Sequence, residues 1–341
     1  MKKKRGLRVL ALFDLGEPAA LDQDFSEYLE TEAWKTEADV LGALRSLGHE
    51  VQYQAIHDDT DLLRQKLQSF PADLIFNLVE EFRNNRAFDQ NVASFLELSG
   101  VPFTGCGSTG LTLCRNKGIS KKILGYHRIR VPQFAIVARG RRPVRPKWLP
   151  FPILVKPLKE EASMGISQAS FVETDEAFRE RVEFVHDKLG QDVIAEEYVE
   201  GRELYVSMLG NHRLDVFPLR ELLFREVPPD EPRIATYKAK WDDAYRERWG
   251  IESRFAEDLP AEVLRDIQRI CRRIYHLLAI DGYARLDLRL TARNEVVFIE
   301  ANPNPFLAHG EDFALSAERG GLSYPQLIAR IVRLGQTAVR G

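Results

Sequence analysis

From residue 285 to residue 302 the chain reads RLDLRLTARNEVVFIEAN, two alternating segments either side of Arg293-Asn294. Such alternation is satisfied by an antiparallel hairpin, with successive side chains on opposite faces. A four-residue loop at that turn sets Asp287 opposite Glu300 and Arg285 opposite Asn302, whereas an odd loop would shift the register by one. One face then gathers a cation, two carboxylates and an amide. Two facing carboxylates repel unless positive charge lies between them. Three oxygen ligands on adjacent strands, completed by water and phosphate oxygens, describe a Mg²⁺–nucleotide site. A solvated polar face with Arg285 as counter-ion is the other reading of the same pattern. Leu286, Leu288 and Leu290 give the hairpin an apolar reverse face under both.

The 341 residues suggest two or three domains and a sizeable core. The formal net charge of −3 and pI near 6.2 lack the basic excess of a nucleic-acid or anionic-membrane binder. No apolar window reaches the length of about 18 residues that a membrane span needs. The basic start, residues 1–5, leads into a short apolar run, 7–13, that ends at Asp14 and reads as a strand rather than a leader. Cys106, Cys114 and Cys271 show neither metal nor redox spacing, so a reducing cytoplasm is the expected setting.

Apolar runs at 7–13, 51–55, 73–78 and 101–104 alternate with helical spacing at 31–47, 59–68 and 87–98, which predicts a parallel sheet flanked by helices. Helices are expected at 116–126, 174–189, 260–278 and 324–339. Strands are expected at 133–137, 151–156, 193–199, 202–209, 214–218, 283–290 and 295–301, with an irregular polar stretch at 225–257. The expected division is an N-terminal α/β domain, 1–113, a central unit, 114–199, and a C-terminal unit, 200–341, that carries the carboxylate hairpin.

The strand 151–156 ends in Lys156-Pro157 and runs into Lys159-Glu-Glu-Ala-Ser163-Met-Gly165. A small-residue loop admits an anion to its backbone N–H groups, and a strand-end lysine adds a point charge. Its glycine content is too low for a P-loop or a dinucleotide fingerprint. Glu196-Glu197-Tyr198-Val199-Glu200-Gly201-Arg202-Glu203 is a strand, a turn and a second strand. Its alternate carboxylates suit an adenine amino group and ribose hydroxyls, and equally a solvated acidic edge.

Taken in order, these motifs resemble the ATP-grasp superfamily, and within it the D-alanine–D-alanine ligase group, over residues 70–335. The matching elements are Asp73–Asn77, Val101-Pro-Phe-Thr-Gly105, Asn116-Lys117, Val155-Lys156-Pro157 with Ser163-Met-Gly165, and Glu196 to Glu203. Ala239-Lys240-Trp241 stands for the group's Ala-Lys-Tyr, and Arg285-Leu-Asp287 with Glu300-Ala-Asn302 and Pro305 for its metal-site signature. The resemblance implies an α/β fold in which a parallel-sheet domain precedes two ATP-grasp subdomains. It further implies ATP held by Lys117 and Lys156 under a loop containing Ser163. Glu196, Glu197 and Val199 would line the adenine slot, and Glu203 would take the ribose. Lys240 would reach the transferred phosphate from a lid within 225–257, and Arg285 would hold the reacting carboxylate. Asp287, Glu300 and Asn302 would bind about two Mg²⁺ ions, with Mn²⁺ an alternative. The activity implied is amide or peptide bond formation through an acyl phosphate, from small-molecule carboxylate and amine substrates such as amino acids or peptides. Dimerisation is what the group suggests.

The departures lie in the substrate pockets. The group's early Glu and its His-Gly and Gly-Glu-Asp-Gly elements are replaced by Asp14-Leu-Gly-Glu17 and by Val79-Glu80-Glu81-Phe82-Arg83-Asn84-Asn85-Arg86. Phe306 stands where the group has a glycine, and the loop ends in Glu311-Asp312 rather than a serine. Nucleotide machinery kept beside rewritten pockets predicts a substrate pair other than two D-alanines. Glu80, Glu81, Glu311 and Asp312 suit an amino-bearing substrate. The alternatives are a D-alanine–D-alanine ligase with unusual pockets and a non-catalytic ATP-binding regulatory protein. The second is disfavoured by the presence of Lys156, Arg285, Asp287, Glu300 and Asn302.

Overall fold

The computed structural model describes residues 6–160, 163–228 and 231–339. Its N-terminal part alternates β1 (Arg8–Asp14), α1 (Lys35–Ser46), β2 (Glu50–Ile56), α2 (Asp61–Ser69), β3 (Leu74–Asn77) and α3 (Asp89–Ser99). The three strands form a parallel sheet in the order β2-β1-β3. The expected strand at 101–104 is reduced to one bridge, Ile75 with Phe103. Pro102 has no N–H to extend a ladder, and the chain turns away at Gly105, whose φ is 92°. Two helices follow, α4 (Ser108–Arg115), which periodicity did not reveal, and α5 (Lys117–Tyr126).

The middle of the chain supplies β4 (Phe134–Val137), β5 (Ile153–Pro157), β6 (Phe171–Val172), α6 (Asp175–Lys188) and β7 (Val193–Glu197). They make an antiparallel sheet in the order β4-β7-β5-β6. Phe178, Val182 and Val185 of α6 bury one of its faces in a separate core with Ile153, Val155 and Val193. The last part holds β8 (Arg202–Leu209), β9 (Asp215–Val216), β10 (Arg220–Phe224), α7 (Tyr237–Trp241), α8 (Asp243–Arg248) and β11 (Ile251–Phe255). It continues with α9 (Ala261–Leu277), β12 (Tyr283–Leu290), β13 (Val296–Pro303), α10 (Asp312–Arg319) and α11 (Tyr324–Thr337). Its sheet runs β11-β10-β8-β12-β13, with β9 against β8. The largest core joins this sheet and α9 to α3, α4 and the first sheet through Leu12, Ile75, Leu96, Ile267, Ile274 and Leu286.

Two expectations change here. The stretch 225–257 is not irregular throughout. Thr236 caps Ala239 N and Asp242 caps Tyr245 N, so α7 and α8 form, and β11 pairs with β10. The hairpin loop is odd, closed between Thr291 and Glu295 with Asn294 at φ 60°. The pairing nearest the loop is therefore shifted, Leu290 with Val296 and Leu288 with Phe298. A bulge at Ile299 restores Asp287 opposite Glu300 and Arg285 opposite Asn302. The site register is the one the alternation predicts, reached by a different route.

Candidate functional site

A slot of about 60 Å³ lies between β5 and β7 on one side and β8, β12 and β13 on the other. Its wall contains nine of the twelve residues singled out in the sequence: Lys156, Ser163, Glu196, Glu197, Val199, Glu203, Lys240, Asp287 and Glu300. Lys156 is the next-to-last residue of β5, and its Nζ lies 2.9 Å from Glu196 Oε2. Glu196 Oε1 is 2.8 Å from Lys121 Nζ. Burial pulls the Lys156 ammonium down, but Glu196 and Glu300 outweigh it and hold it above its usual range. Burial likewise pushes Glu196 up, and the two lysines overcome this and hold its carboxyl below the usual range. Glu203 has both oxygens engaged, by Arg289 at 2.7 Å and by the Tyr205 hydroxyl at 2.9 Å.

Lys121 was missed in the sequence, although its spacing of four from Lys117 on α5 sets both on one helix face. Asn116 starts that helix, its side chain accepting from Gly118 N at 3.1 Å and Ile119 N at 3.0 Å. Lys121 Nζ donates to the carbonyl of bulged Ile299, while Lys117 Nζ donates to Glu160 O and lies 3.7 Å from Glu300 Oε2. The bulge thus gives up a ladder partner and gains a charged donor.

On the hairpin, Arg285 grips Asp287 with two bonds, Nε to Oδ1 at 2.8 Å and Nη2 to Oδ2 at 2.9 Å, and its guanidinium lies 4.6 Å from the Tyr205 ring centre. Burial raises Asp287, with the Glu300 charge adding to it, whereas Lys117, Lys240 and Lys156 hold Glu300 well below the carboxylate range. Among the described residues no three His, Cys, Asp or Glu side chains form a metal cage. Asp287, Glu300 and Asn302 offer two carboxylates and an amide, and the Asn302 amide nitrogen is buried without a hydrogen-bond partner. This incomplete, all-oxygen set fits a hard divalent ion that draws its other ligands from phosphate and water.

Beyond the hairpin opens a cavity of about 700 Å³, lined by Arg285, Asn302, Phe306, Glu37, Glu80 and Glu311 among others. Lys240 lines both spaces. The chain that carries it docks on the small-residue loop: Ser163 Oγ donates to Ala235 O at 2.7 Å, and Tyr237 N to Ile166 O at 3.1 Å. Of the four acids expected to face substrate, Glu81 is not part of the wall, and Asp312 is held by Arg220 at 3.0 Å and Ser253 Oγ at 3.2 Å. Glu80 pairs with Arg86 at 3.4 Å, and Glu311 begins α10 without a capping bond from its side chain. Glu37, which no motif flagged, faces the cavity from the first turn of α1.

The family model for the D-ala D-ala ligase C-terminus matches residues 126–333. The chain belongs to the D-alanine–D-alanine ligase family. This ligase is 31% identical over 304 residues, 86% of its length and 85% of the relative's, to the uncharacterized protein y4sG of Sinorhizobium fredii. It is 28% identical over 316 residues to a D-alanine–D-alanine ligase of Nitratidesulfovibrio vulgaris, covering 89% of this chain and 96% of that one. Its fold matches a Bacillus anthracis D-alanine–D-alanine ligase complexed with ATP, TM-score 0.72 at 19% identity over 97% of both chains. It also matches a D-Ala:D-Ser ligase of Enterococcus faecalis, TM-score 0.69 at 18% identity, over 96% of this chain and 99% of that one. The fold is ATP-grasp, and the protein is an ATP-dependent ligase forming C–N bonds, from a family that works with a divalent metal. No helix among the described residues is long and apolar enough to cross a membrane.

Proposed function

We propose that this ligase joins a carboxylate to an amine through an acyl phosphate, and that its substrates are not two D-alanines. ATP would lie along the slot once its walls part from the present volume of about 60 Å³, its adenine against Glu196, Glu197 and Val199, its ribose at Glu203, and its phosphates near Lys117 and Lys156 under the Ser163 loop. Asp287, Glu300 and Asn302 would hold about two Mg²⁺ ions, which neutralise charge on the transferring phosphoryl group when bound. Lys240 would steady that group and Arg285 the carboxylate that receives it. The amine then attacks the acyl carbon, and phosphate leaves. The lid contact of Ser163 with Ala235 serves to keep water from the acyl phosphate. The parts divide near 113/114 and 199/200, and a reducing cytoplasm suits the three buried cysteines.

The observation that carries the substrate reading is Phe306. Its side chain lines the large cavity where the family pattern has a glycine, and it crowds the backbone approach that a small acceptor would use. Glu37 and Glu311 on the same wall suit an amine on the acceptor, while the wall's cations, Arg246 and Arg285 among them, leave room for a carboxylate elsewhere on it. The test is phosphate release from Mg·ATP with D-alanine against a panel of diamines, basic amino acids and short peptides, with mass detection of product. We expect little turnover with D-alanine alone. Efficient D-alanyl-D-alanine synthesis would overturn the substrate reading and leave a D-alanine–D-alanine ligase with unusual pockets.

A further inference from the structure

The whole-chain charge of −3 hides a sharp asymmetry. Residues 98–159 contain thirteen Lys and Arg and no Asp or Glu, so the acidic balance belongs to the rest of the chain. Part of this positive charge lies inside the protein, where Lys117, Lys121 and Lys156 meet Glu300 and Glu196. Its densest run lies elsewhere, in the link from β4 to β5, where Arg139 to Trp148 holds five cations in ten residues. The link is held from behind. Leu149 is buried in the core under α6 with Phe178 and Val182. Arg145 is the clamp: its Nε donates to Asp175 Oδ1 at 2.7 Å and its Nη1 to Leu149 O at 2.6 Å, and its guanidinium lies 4.4 Å from the Phe151 ring centre. Arg139 N donates to Asp192 Oδ1 at 2.8 Å, so the two acids bonded to the link are both turned to its anchors. In front, Arg141, Arg142 and Lys147 are exposed, and among them stand Val144, 61% exposed, and Trp148, 58%. Ile153 and Val155 point from β5 into the same core as Leu149, while Lys156 points to the slot. The link therefore lies on the face of its sheet away from the slot.

We propose that this link is a docking tip for the surface of a bilayer containing anionic phospholipid. Trp148 and Val144 enter the headgroup region, and Arg141, Arg142 and Lys147 meet the phosphates. Three arguments select that occupant. A tip that mixes cations with an aromatic and an aliphatic side chain matches an interface charged outside and apolar beneath, where tryptophan is favoured. The link is also convex. Three turns follow one another, Arg141 N donating to Ala138 O, Val144 N to Arg142 O and Leu149 N to Pro146 O, and seven of the ten residues are exposed. A single-stranded nucleic acid is instead tracked by a groove with stacking platforms, and Val144 offers a base nothing to stack on. A second copy of the chain would bring like charges face to face across a two-fold axis, which is unfavourable.

The inference stands apart from the ligase reading, since the tip lies away from the slot, and it is tested on the full chain. Sedimentation is compared for vesicles of phosphatidylcholine alone and of phosphatidylcholine with about one-third phosphatidylglycerol. The protein should pellet with the mixed vesicles and not with the neutral ones, and added salt should release it. Each cation at such a surface strengthens partition about fivefold, so the double variant Arg141→Gln/Arg142→Gln should weaken it about 25-fold. Quenching of tryptophan fluorescence by bromine-labelled lipid reads which residue enters. The parent should be quenched, and Trp148→Phe should lose the quenching while still pelleting, because Trp34, Trp241 and Trp249 lie in other parts of the fold. Urea midpoints of the variants exclude unfolding as the cause of any loss. Equal partition to neutral and mixed vesicles, or partition that the double variant retains in full, would overturn the proposal. Quenching that survives Trp148→Phe would overturn it as well. A protein that ignores the mixed vesicles but binds a single-stranded oligonucleotide, or pairs with itself, through the same two arginines would assign the tip to that partner instead.

Discussion

At the residue scale, Asp14 is a group at odds with its surroundings. It ends β1 among carboxylates, and burial, with the Glu81 charge adding to it, raises its pKa from 3.8 to about 6 despite the bond it accepts from Glu80 N at 2.6 Å. A raised carboxyl pKa favours the folded state fully below 3.8, and that contribution is lost as pH climbs through about 6. The stability so lost between the two ends of that range is of order 3 kcal/mol. Asp14→Asn keeps an acceptor for the Glu80 N–H and removes the charge. The variant should gain stability at about pH 8, by up to about 3 kcal/mol, and gain almost nothing below about pH 4, read from urea unfolding at both. Glu37 is also raised, first by burial and in part by Asp14, so the substitution should let it ionise more readily. An equal gain at both pH values would show that packing, not charge, limits this site.

At the element scale, α5 illustrates how one cap serves a whole site. Asn116 satisfies two N–H groups at the helix start and thereby fixes the turn from which Lys117 and Lys121 reach Glu300 and Glu196. Asn116→Ala should cost about 1 kcal/mol in stability. It should also weaken Mg·AMP-PNP binding, whereas Asn116→Asp, which keeps the cap, should retain most of both. Calorimetric titration beside thermal melts checks the pair, and an alanine variant with full affinity would separate the cap from the site. The same helix marks what the sequence made legible. Lys117 came from a motif, but Lys121 did not, because four-residue spacing shows a shared face and not what that face meets. The hairpin pairing was readable because side-chain alternation is strict, while its loop length was not, since the bulge at Ile299 cancels the odd loop. Short helices such as α7, held by a single cap and a few contacts, leave too little periodicity to find. The edge-to-face contact of Trp241 with Phe306, ring centroids 5.9 Å apart, is a tertiary fact that no local pattern encodes.

At the scale of the molecule, the slot is built from parts that do not share a core. Lys156 and Glu196 stand on a sheet whose apolar face is closed by α6, whereas Asp287 and Glu300 belong to the sheet whose core runs on into the N-terminal strands. Across the slot, Lys121 and Lys117 on α5 supply cations between the carboxylates of both sheets. A nucleotide with its metal would add ligands common to both, so binding should appear as stability of the whole chain. At a free concentration one hundred times Kd, linkage adds about 2.7 kcal/mol, a rise in melting midpoint of about 4 °C. That rise should need both components. AMP-PNP with EDTA should give little of it, because Asp287 and Glu300 then face the phosphates as bare acceptors and repel them. Lys156→Met should lose most of the shift, and its own unliganded melt should fall below that of the parent, since Glu196 then keeps only Lys121 as a buried cationic partner. Differential scanning calorimetry of both proteins, with and without Mg²⁺, decides it. A shift of equal size without metal would mean that the hairpin carboxylates do not share an ion with the nucleotide.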